Sequence, residues 1–470
     1  MNTNQEPIVR VGIIEAPRVR YIYKGVEHEA VWSPDFEEIY LPEGPFTLRG
    51  VTIGKQFHWE QQEDQTFTGA LRIIATPKPS PQSGLPLQSE RAGGEARGLL
   101  IAINEVPLED YLASVISSEM SATNNLELLK AHAIISRSWA MLKVRGNREE
   151  VRGNGEEVRG SAGAEGFVPV RPADGSKLQR WWDHDDHTLY DVCADDHCQR
   201  YQGTTRQVSP LVAEAIRQTR GMVLTSPELS TAEHIHICDA RFYKACGGRT
   251  ERFSACWQDR DYHYLEPTDD PYCSPEFIAK LPGGMEGVMQ LVLNDYDRST
   301  VDYHEWTERY TVDELSTLVE TRLHEVFPEL SPQSGGVGGG LLGRITALEP
   351  IERGASGRIV RLRIVGTPST QGQEPPSVII GKELLIRKVL STSHLKSSWF
   401  DVEKLSPTSS PSSSPSSPLP RPSYLLHGHG GGHGVGLCQI GAAAMSIAGF
   451  THDQILAHYY HGSQLTRLYD

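Results

Sequence analysis

The stretch "LLIAINEVPLEDYLASVISSEM", Leu99 to Met120, changes its hydrophobic period halfway along, and that change decides the fold. Its first half, "LLIAINEV", reads as a strand that opens on five apolar residues, and Pro107 then stands where a helix begins, since proline has no N–H to lose in a first turn. Beyond it Leu108, Leu112 and Val115 recur at helical spacing, so residues 107–120 are expected as a helix with Glu119 near its end. The next segment, "NLELLKAHAIISRSWAMLKVRG", reads as a second helix with Leu128, Ile135, Trp139 and Leu142 on one stripe and Gly146 as its stop.

Outward from this pair, strand-like alternation marks Ile8 to Ile14, Val19 to Gly25, Thr47 to Glu60 and Gly69 to Thr76. Downstream, "GMVLTS" and "ARFYKACGG" read as strands, "TVDELSTLVETRLHEVF" as a helix, and residues 343–367 as a hairpin turning at "GASG". The expected class is α+β: a mixed sheet with helices, forming two lobes around a cleft. A β-rich region at 1–98, whose end is a Pro/Gly/Ser loop from residue 77, precedes a domain at 99–470.

Two insertions interrupt that domain. "VRGNREEVRGNGEEVRG" (144–160) repeats a seven-residue unit, but one valine and at least one glycine per unit cannot build an apolar seam, so residues near 145–176 are expected to be solvated. "LSPTSSPSSSPSSPLPRPS" (405–423) has the composition of an extended chain without a core.

The chain's 470 residues carry 45 Lys and Arg against 60 Asp and Glu, a net charge of −15, with no basic cluster; this excludes nucleic acid as the expected partner. The N-terminus shows no basic-then-apolar leader pattern and no window is long and apolar enough to span a bilayer, so neither a signal peptide nor a membrane span is expected, and the sequence as written reads as cytoplasmic. The 7 cysteines are too few for a disulfide scaffold, although four fall between Cys238 and Cys273.

Three constellations carry possible chemistry. His187, Cys193, His197 and Cys198 lie within twelve residues and offer the two thiolates and two imidazoles of a closed, structural Cys2His2 zinc site, with Asp183, His184, Asp195 and Asp196 as substitutes. "HGHGGGHGVG" (427–436) offers His427, His429 and His433 as an open zinc triad, or else a glycine-rich backbone that something approaches closely, a substrate at a cleft wall or another chain segment. It lacks the features of a phosphate loop. Glu119, beside an apolar core, is a candidate general acid, with a solvated helix-end charge as the plainer alternative.

Taken in order, "DYLASVISSEM", "ELLKAHAIISRSWAM", "HCQRYQG", "AIRQTRGMVL", "ACGGRTE", "SGRIVRLRIVG", "HGGGHGVGLCQIGAAAMSIAG" and "ILAHYYHGSQL" resemble the stage II sporulation protein D / amidase-enhancer family across roughly Leu99 to Leu465. The resemblance implies a lytic transglycosylase that cuts peptide-stripped peptidoglycan glycan strands to 1,6-anhydro-muramoyl ends, with Glu119 as catalytic acid and base. It implies structural zinc at His187, Cys193, His197 and Cys198, and substrate contacts at Arg137, Gln199, Tyr201, His433 and Gln439. A non-catalytic glycan binder that enhances a cell-wall amidase is the competing expectation. Cys246 and Cys438 depart from the family pattern, which usually has serine at both; a disulfide between them, or with Cys256, is the expectation they raise.

Overall fold

The computed structural model describes residues 5–55, 60–76, 98–120, 125–152, 177–179, 187–195, 197–206, 208–232, 234–293, 303–327, 330, 341–368, 370, 372–406 and 422–470. The change of period falls one residue later than expected: β8 (Leu100–Pro107) keeps Pro107 as its last residue, and α1 (Leu108–Glu119) begins at the next. Pro107 is the N-cap and has no side-chain cap to give, so Glu6 supplies one, its Oε1 accepting from Glu109 N at 2.8 Å, while Pro7 O accepts from Leu108 N.

The N-terminal elements are β1 (Ile8–Ala16), β2 (Arg18–Tyr23), β3 (Val26–Val31), β4 (Ile39–Leu41), β5 (Phe46–Ile53), β6 (Gln61–Phe67) and β7 (Ala70–Ala75), followed by β8, α1 and the long α2 (Leu126–Arg152). Strands β3-β2-β5-β6 form one sheet. The other, β10-β1-β8-β7-β4, includes β10 (Val192–Cys193), and β1 runs antiparallel to β8 from Ile8↔Pro107 to Ala16↔Leu100. Both sheets feed a core that also holds Leu108, Leu112, Val115, Ala133 and Trp139, so the expected boundary at residue 98 crosses one sheet and one core. The Pro/Gly/Ser stretch that follows β7 joins strands already in register at Ala75↔Leu100; its residues 77–97 lie outside those described.

Helix α2 has apolar residues around its circumference, as a buried helix must. Leu129, Ala133 and Trp139 face the first core, whereas Leu128, Ala131, Ile134 and Ile135 face a second. It does not stop at Gly146 but continues to Arg152 through the start of the repeat. A single glycine costs a helix only about 1 kcal/mol, and "NREEVR" after it is mostly helix-tolerant. Residues 153–176 of the expected insertion are outside the described set.

After β9 (Lys177–Gln179) and β10 come α3 (Pro210–Thr219), β11 (Met222–Thr225), β12 (Phe242–Tyr243), α4 (Pro275–Ile278) and α5 (Gly284–Val292). The third region comprises β13 (Glu305–Thr311), α6 (Val312–Val326), β14 (Ala347–Arg353), β15 (Ile359–Val365), β16 (Ser377–Gly381), α7 (Glu383–Val389), β17 (Phe400–Leu405) and β18 (Ser423–His429). Its own core contains Leu315, Val319, Leu362, Ile380, Leu385 and Phe400. The β14–β15 hairpin turns at "GASG" as expected, and α6 opens with a capping box between Thr311 and Glu314. The second insertion joins β17 to β18, whose antiparallel pairing ends at Leu405↔Ser423. The chain closes with β19 (Leu437–Cys438), α8 (Gln439–Ile447), α9 (His452–Tyr459) and β20 (Gln464–Arg467), which pairs back onto β11. The class is α+β, with three cores rather than one; no described helix is long and apolar enough to cross a membrane.

Candidate active site and metal centre

Four donors from one short loop converge as the spacing suggested. One ligand atom each from His187, Cys193, His197 and Cys198 lies within 4.8 Å of the others. Cys198 Sγ is 3.5 Å from His187 Nε2 and 3.5 Å from His197 Nδ1, and Cys193 Sγ is 3.8 Å from His197 Nδ1. Tetrahedral zinc with Zn–S of about 2.3 Å and Zn–N of about 2.0–2.1 Å spaces its sulfur and nitrogen ligands about 3.6 Å apart, so the donor set fits a divalent zinc-like ion. Cys193 N also points at Cys198 Sγ, at 3.4 Å. The hydrogen bond with Cys198 pulls the Cys193 thiol well below its ordinary value against the opposing effect of burial, and both histidines act in the same direction.

The loop is fixed to the N-terminal sheet. Strand β10 lies parallel to β1 at Val11↔Val192 and Gly12↔Cys193, and Asp191 accepts from Arg10 N (2.9 Å) and Nη2 (2.7 Å). Gly12 leaves room for Tyr190, whose ring a Cβ there would meet at 2.6 Å; that ring packs against His187 with centroids 4.6 Å apart. Asp195 is not a ligand: its oxygens accept from Gly54 N and Lys55 N. Asp183, His184 and Asp196 lie outside the described residues.

From Cys198 the chain runs as a strap along β8, α1 and α2. Tyr111 donates its hydroxyl to Gln199 Oε1 (3.1 Å), Tyr201 donates to Asn104 Oδ1 (2.6 Å), and Gln202 N donates to Ser114 Oγ (3.0 Å). Between them, Arg200 N donates to Glu119 Oε1 at 2.9 Å. Glu119 is partly exposed at the end of α1, and among the described residues that N–H is the donor it receives. The helix terminates at Met120, which is buried in the second core with Tyr243 and Val435.

The expected substrate contacts divide sharply. Arg137 is 0% exposed and clamps Glu109 through Nε–Oε1 (3.0 Å) and Nη2–Oε2 (2.6 Å), so it is a structural cation and cannot touch a bound strand. Gln199 and Tyr201 are buried by the strap bonds just described, and Gln439 is buried at the first turn of α8, so where direct contact was expected the structure shows interior positions. His433 alone of the five is partly exposed. Its ring lies 4.9 Å from Trp257 and 5.2 Å from Tyr243, and its Nδ1 accepts from Val435 N at 3.0 Å, which puts the ring proton on Nε2. Burial, then the charges of Arg241 and Arg358, hold it neutral by lowering its pKa well below the ordinary value.

The glycine-rich run is a crossing of the chain against itself. At Gly428 a Cβ would strike Trp306, at Gly431 Tyr303, at Gly434 Arg358 (2.8 Å) and at Gly436 Arg241 O (2.1 Å), with Gly434 and Gly436 at φ +89° and +80°. Arg358, fully buried, ties the crossing together by donating to Gly432 O, Cys246 O and Ala245 O. The three histidines do not form a triad: His427 pairs with Glu403, His429 stacks on Trp399, and His433 has the partners given above. Nor is there a disulfide. All seven cysteines are free, and Cys256 donates instead to His433 O at 3.4 Å.

Sequence reasoning did not anticipate the Arg200 N–H on Glu119, because a backbone donor leaves no mark in residue type. It also missed the pairing of Glu109 with Arg137, two residues separated by 28 positions.

Residues 96–226 match the stage II sporulation protein family (SpoIID), and residues 251–436 match a domain of unknown function (DUF8618). The chain is similar to stage II sporulation protein D of Bacillus subtilis (strain 168), 22% identical over 369 residues that cover 78% of this chain and 76% of the relative. Stage II sporulation protein D of Bacillus amyloliquefaciens shows the same identity and coverage. The first match spans Glu119, the strap and all four donors of the loop.

Proposed function

We propose that this chain, a member of the stage II sporulation protein D family, processes cell-wall peptidoglycan as a lytic transglycosylase acting on peptide-stripped glycan strands, with Glu119 as its acid and base. The observation that carries the reading is the 2.9 Å hydrogen bond from Arg200 N to Glu119 Oε1: a partly exposed carboxyl group is held in place by the backbone of the loop that bears the metal donors.

In the proposed reaction Glu119 gives its proton to the glycosidic oxygen as the C1–O bond breaks. The muramoyl C6 hydroxyl then attacks C1, and its proton returns to Glu119. One carboxyl group suffices because the sugar's own hydroxyl replaces the water that a second carboxylate activates in a hydrolase. The product is a 1,6-anhydro ring, and no water is consumed. His187, Cys193, His197 and Cys198 would hold the zinc, whose contribution is to cross-link the loop. Arg200 N–H fixes the orientation of the carboxyl group, and Gln199, Tyr201 and Gln202 keep that amide in register with α1.

A further feature supports a sugar-binding surface. His433, with Trp257 and Tyr243 beside it, presents a neutral imidazole and aromatic faces suited to pyranose rings. The test is release of soluble glycan from peptide-stripped sacculi by wild type and by Glu119→Gln. The reading requires release by the wild type and a loss of 100-fold or more, on the order expected for removing a general acid, in the variant; no release by either protein would favour the amidase enhancer, and equal release by both would remove Glu119 from the reaction.

A further inference from the structure

A second set of metal-binding side chains lies in the second core, away from the His187–Cys198 loop. Cys246 follows β12, Asp270 and Cys273 bracket a short 3-10 turn at Pro271–Cys273, and Cys438 is the N-cap of α8. Three separate chain segments therefore meet, and one ligand atom from each of the four residues lies within 4.8 Å of the others. Cys438 Sγ is 3.5 Å from Cys273 Sγ, and Cys246 Sγ is 3.3 Å from Asp270 Oδ2. A tetrahedral zinc ion sets sulfur–sulfur edges of about 3.8 Å and sulfur–oxygen edges of about 3.5 Å. The cluster is already close to that geometry.

Charge argues in the same direction. All four residues are 0% exposed, and among the described residues no Lys or Arg pairs with Asp270; the nearest cationic candidate is His458 Nε2, 3.8 Å from Oδ1. Asp270 Oδ1 accepts from Tyr272 N and Cys273 N (3.1 and 3.2 Å), which leaves Oδ2 beside the Cys246 sulfur, and buried charges are paired or bound to metal. The surrounding groups are arranged as an outer shell. Cys246 N and Gly441 N point at Cys438 Sγ (3.2 and 3.4 Å), Gly248 N at Cys246 Sγ (3.2 Å), and Tyr459 donates its hydroxyl to Asp270 Oδ2 (2.9 Å). Gly441 has no side chain where one would intrude, since a Cβ would come within 2.3 Å of Asp270 Oδ2.

A disulfide accounts for this arrangement less well. Joining Cys273 to Cys438 would leave the Cys246 thiol buried against Asp270, and the Cys246 and Gly441 N–H groups directed at Cys438 Sγ would lose an anionic acceptor.

We propose that Cys246, Asp270, Cys273 and Cys438 bind a second, structural zinc ion that ties the segment after β12, the 270–273 turn and α8 into one core. Thiolate-rich tetrahedral sites select zinc, and binding releases the three thiol protons to solvent. The site is independent of the catalytic reading of Glu119.

The test is the metal content of the full-length chain purified under reducing conditions, combined with X-ray absorption at the zinc edge. Two zinc ions per chain are expected, with five sulfurs shared between them. Cys246→Ser removes one ion, Cys198→Ser removes the other, and the double variant binds none. If Cys246→Ser fails to fold, the sulfur count of the wild type still decides the matter, because a single ion at His187–Cys198 would carry two sulfurs. One ion with two sulfurs, no zinc at all, or a Cys273–Cys438 disulfide in a non-reducing peptide map would each overturn the proposal.

Discussion

At position 137 a guanidinium lies wholly inside the protein because Glu109 lies opposite it, with Tyr469 and Gly221 completing the carboxylate's hydrogen bonds at 2.6 and 3.2 Å. Burial pushes the Glu109 carboxyl up, yet Arg137 and these donors outweigh it and leave the pKa below the usual range. The pair's contribution is therefore present above the unfolded carboxyl pKa, about 4.3, and is lost as pH falls through the lower folded value. Arg137→Met strands the buried carboxylate and is expected to cost about 3–5 kcal/mol at neutral pH. Urea unfolding at pH 7 and pH 4 checks it: the deficit shrinks at the lower pH, where the stranded group takes up a proton, and a pH-independent deficit would mean that packing alone is lost. Position 434 makes a different demand. Gly434→Ala combines φ +89° with a contact of 2.8 Å to Arg358, and an expected loss of about 2 kcal/mol or more would appear as a lower denaturation midpoint.

Among the elements, the strap from Cys198 to Gln202 joins the four-donor loop to Glu119, and in the proposed reading it couples a bound metal to the placement of the acid. Removing the metal from the loop, by chelation or by Cys198→Ser, is expected to speed amide exchange at Arg200 and Gln202 while leaving the β1–β8 ladder protected. Hydrogen-exchange mass spectrometry reads both at once, and unchanged protection at Arg200 would detach the loop from Glu119. The hairpin β17–β18 gives a milder expectation. Its pairing reaches Leu405↔Ser423, so replacing 407–421 with a short Gly/Asn turn should keep the register and change stability by less than about 1 kcal/mol, as a melting curve would report. These elements also show what the sequence made legible. Period changes gave β8, α1, α6 and the β14–β15 hairpin, because each carries its own pattern of burial. Local clustering gave the four metal donors. A strand as short as β10 was not legible, since two residues have no periodicity and exist only through their partner on β1, and of the strand expected at 240–248 only Phe242–Tyr243 pairs, with β19.

For the whole molecule, three cores are joined by a few shared parts: α2 contributes to the first and second, and Arg358 at the head of β15 fastens the glycine run of the second to the sheet of the third. That long-range architecture explains why the glycines were read ambiguously. Their spacing announces close approach, but only the fold identifies Trp306, Tyr303 and Arg358 as what approaches. The same limit applies to Arg137, Gln199, Tyr201 and Gln439, whose motif positions marked importance without distinguishing a substrate contact from an internal strut. Glu119 and His433 are partly exposed, and the proposed reading makes them the groups that meet a glycan. The most direct test is the mass of the products released from peptide-stripped glycan strands by wild type and by Glu119→Gln. Termini 18 Da lighter than a reducing end, the mass of one water on the order of that expected for an anhydro ring, should be released by the wild type and be absent with the variant. Reducing ends, or the same anhydro products from both proteins, would contradict the account.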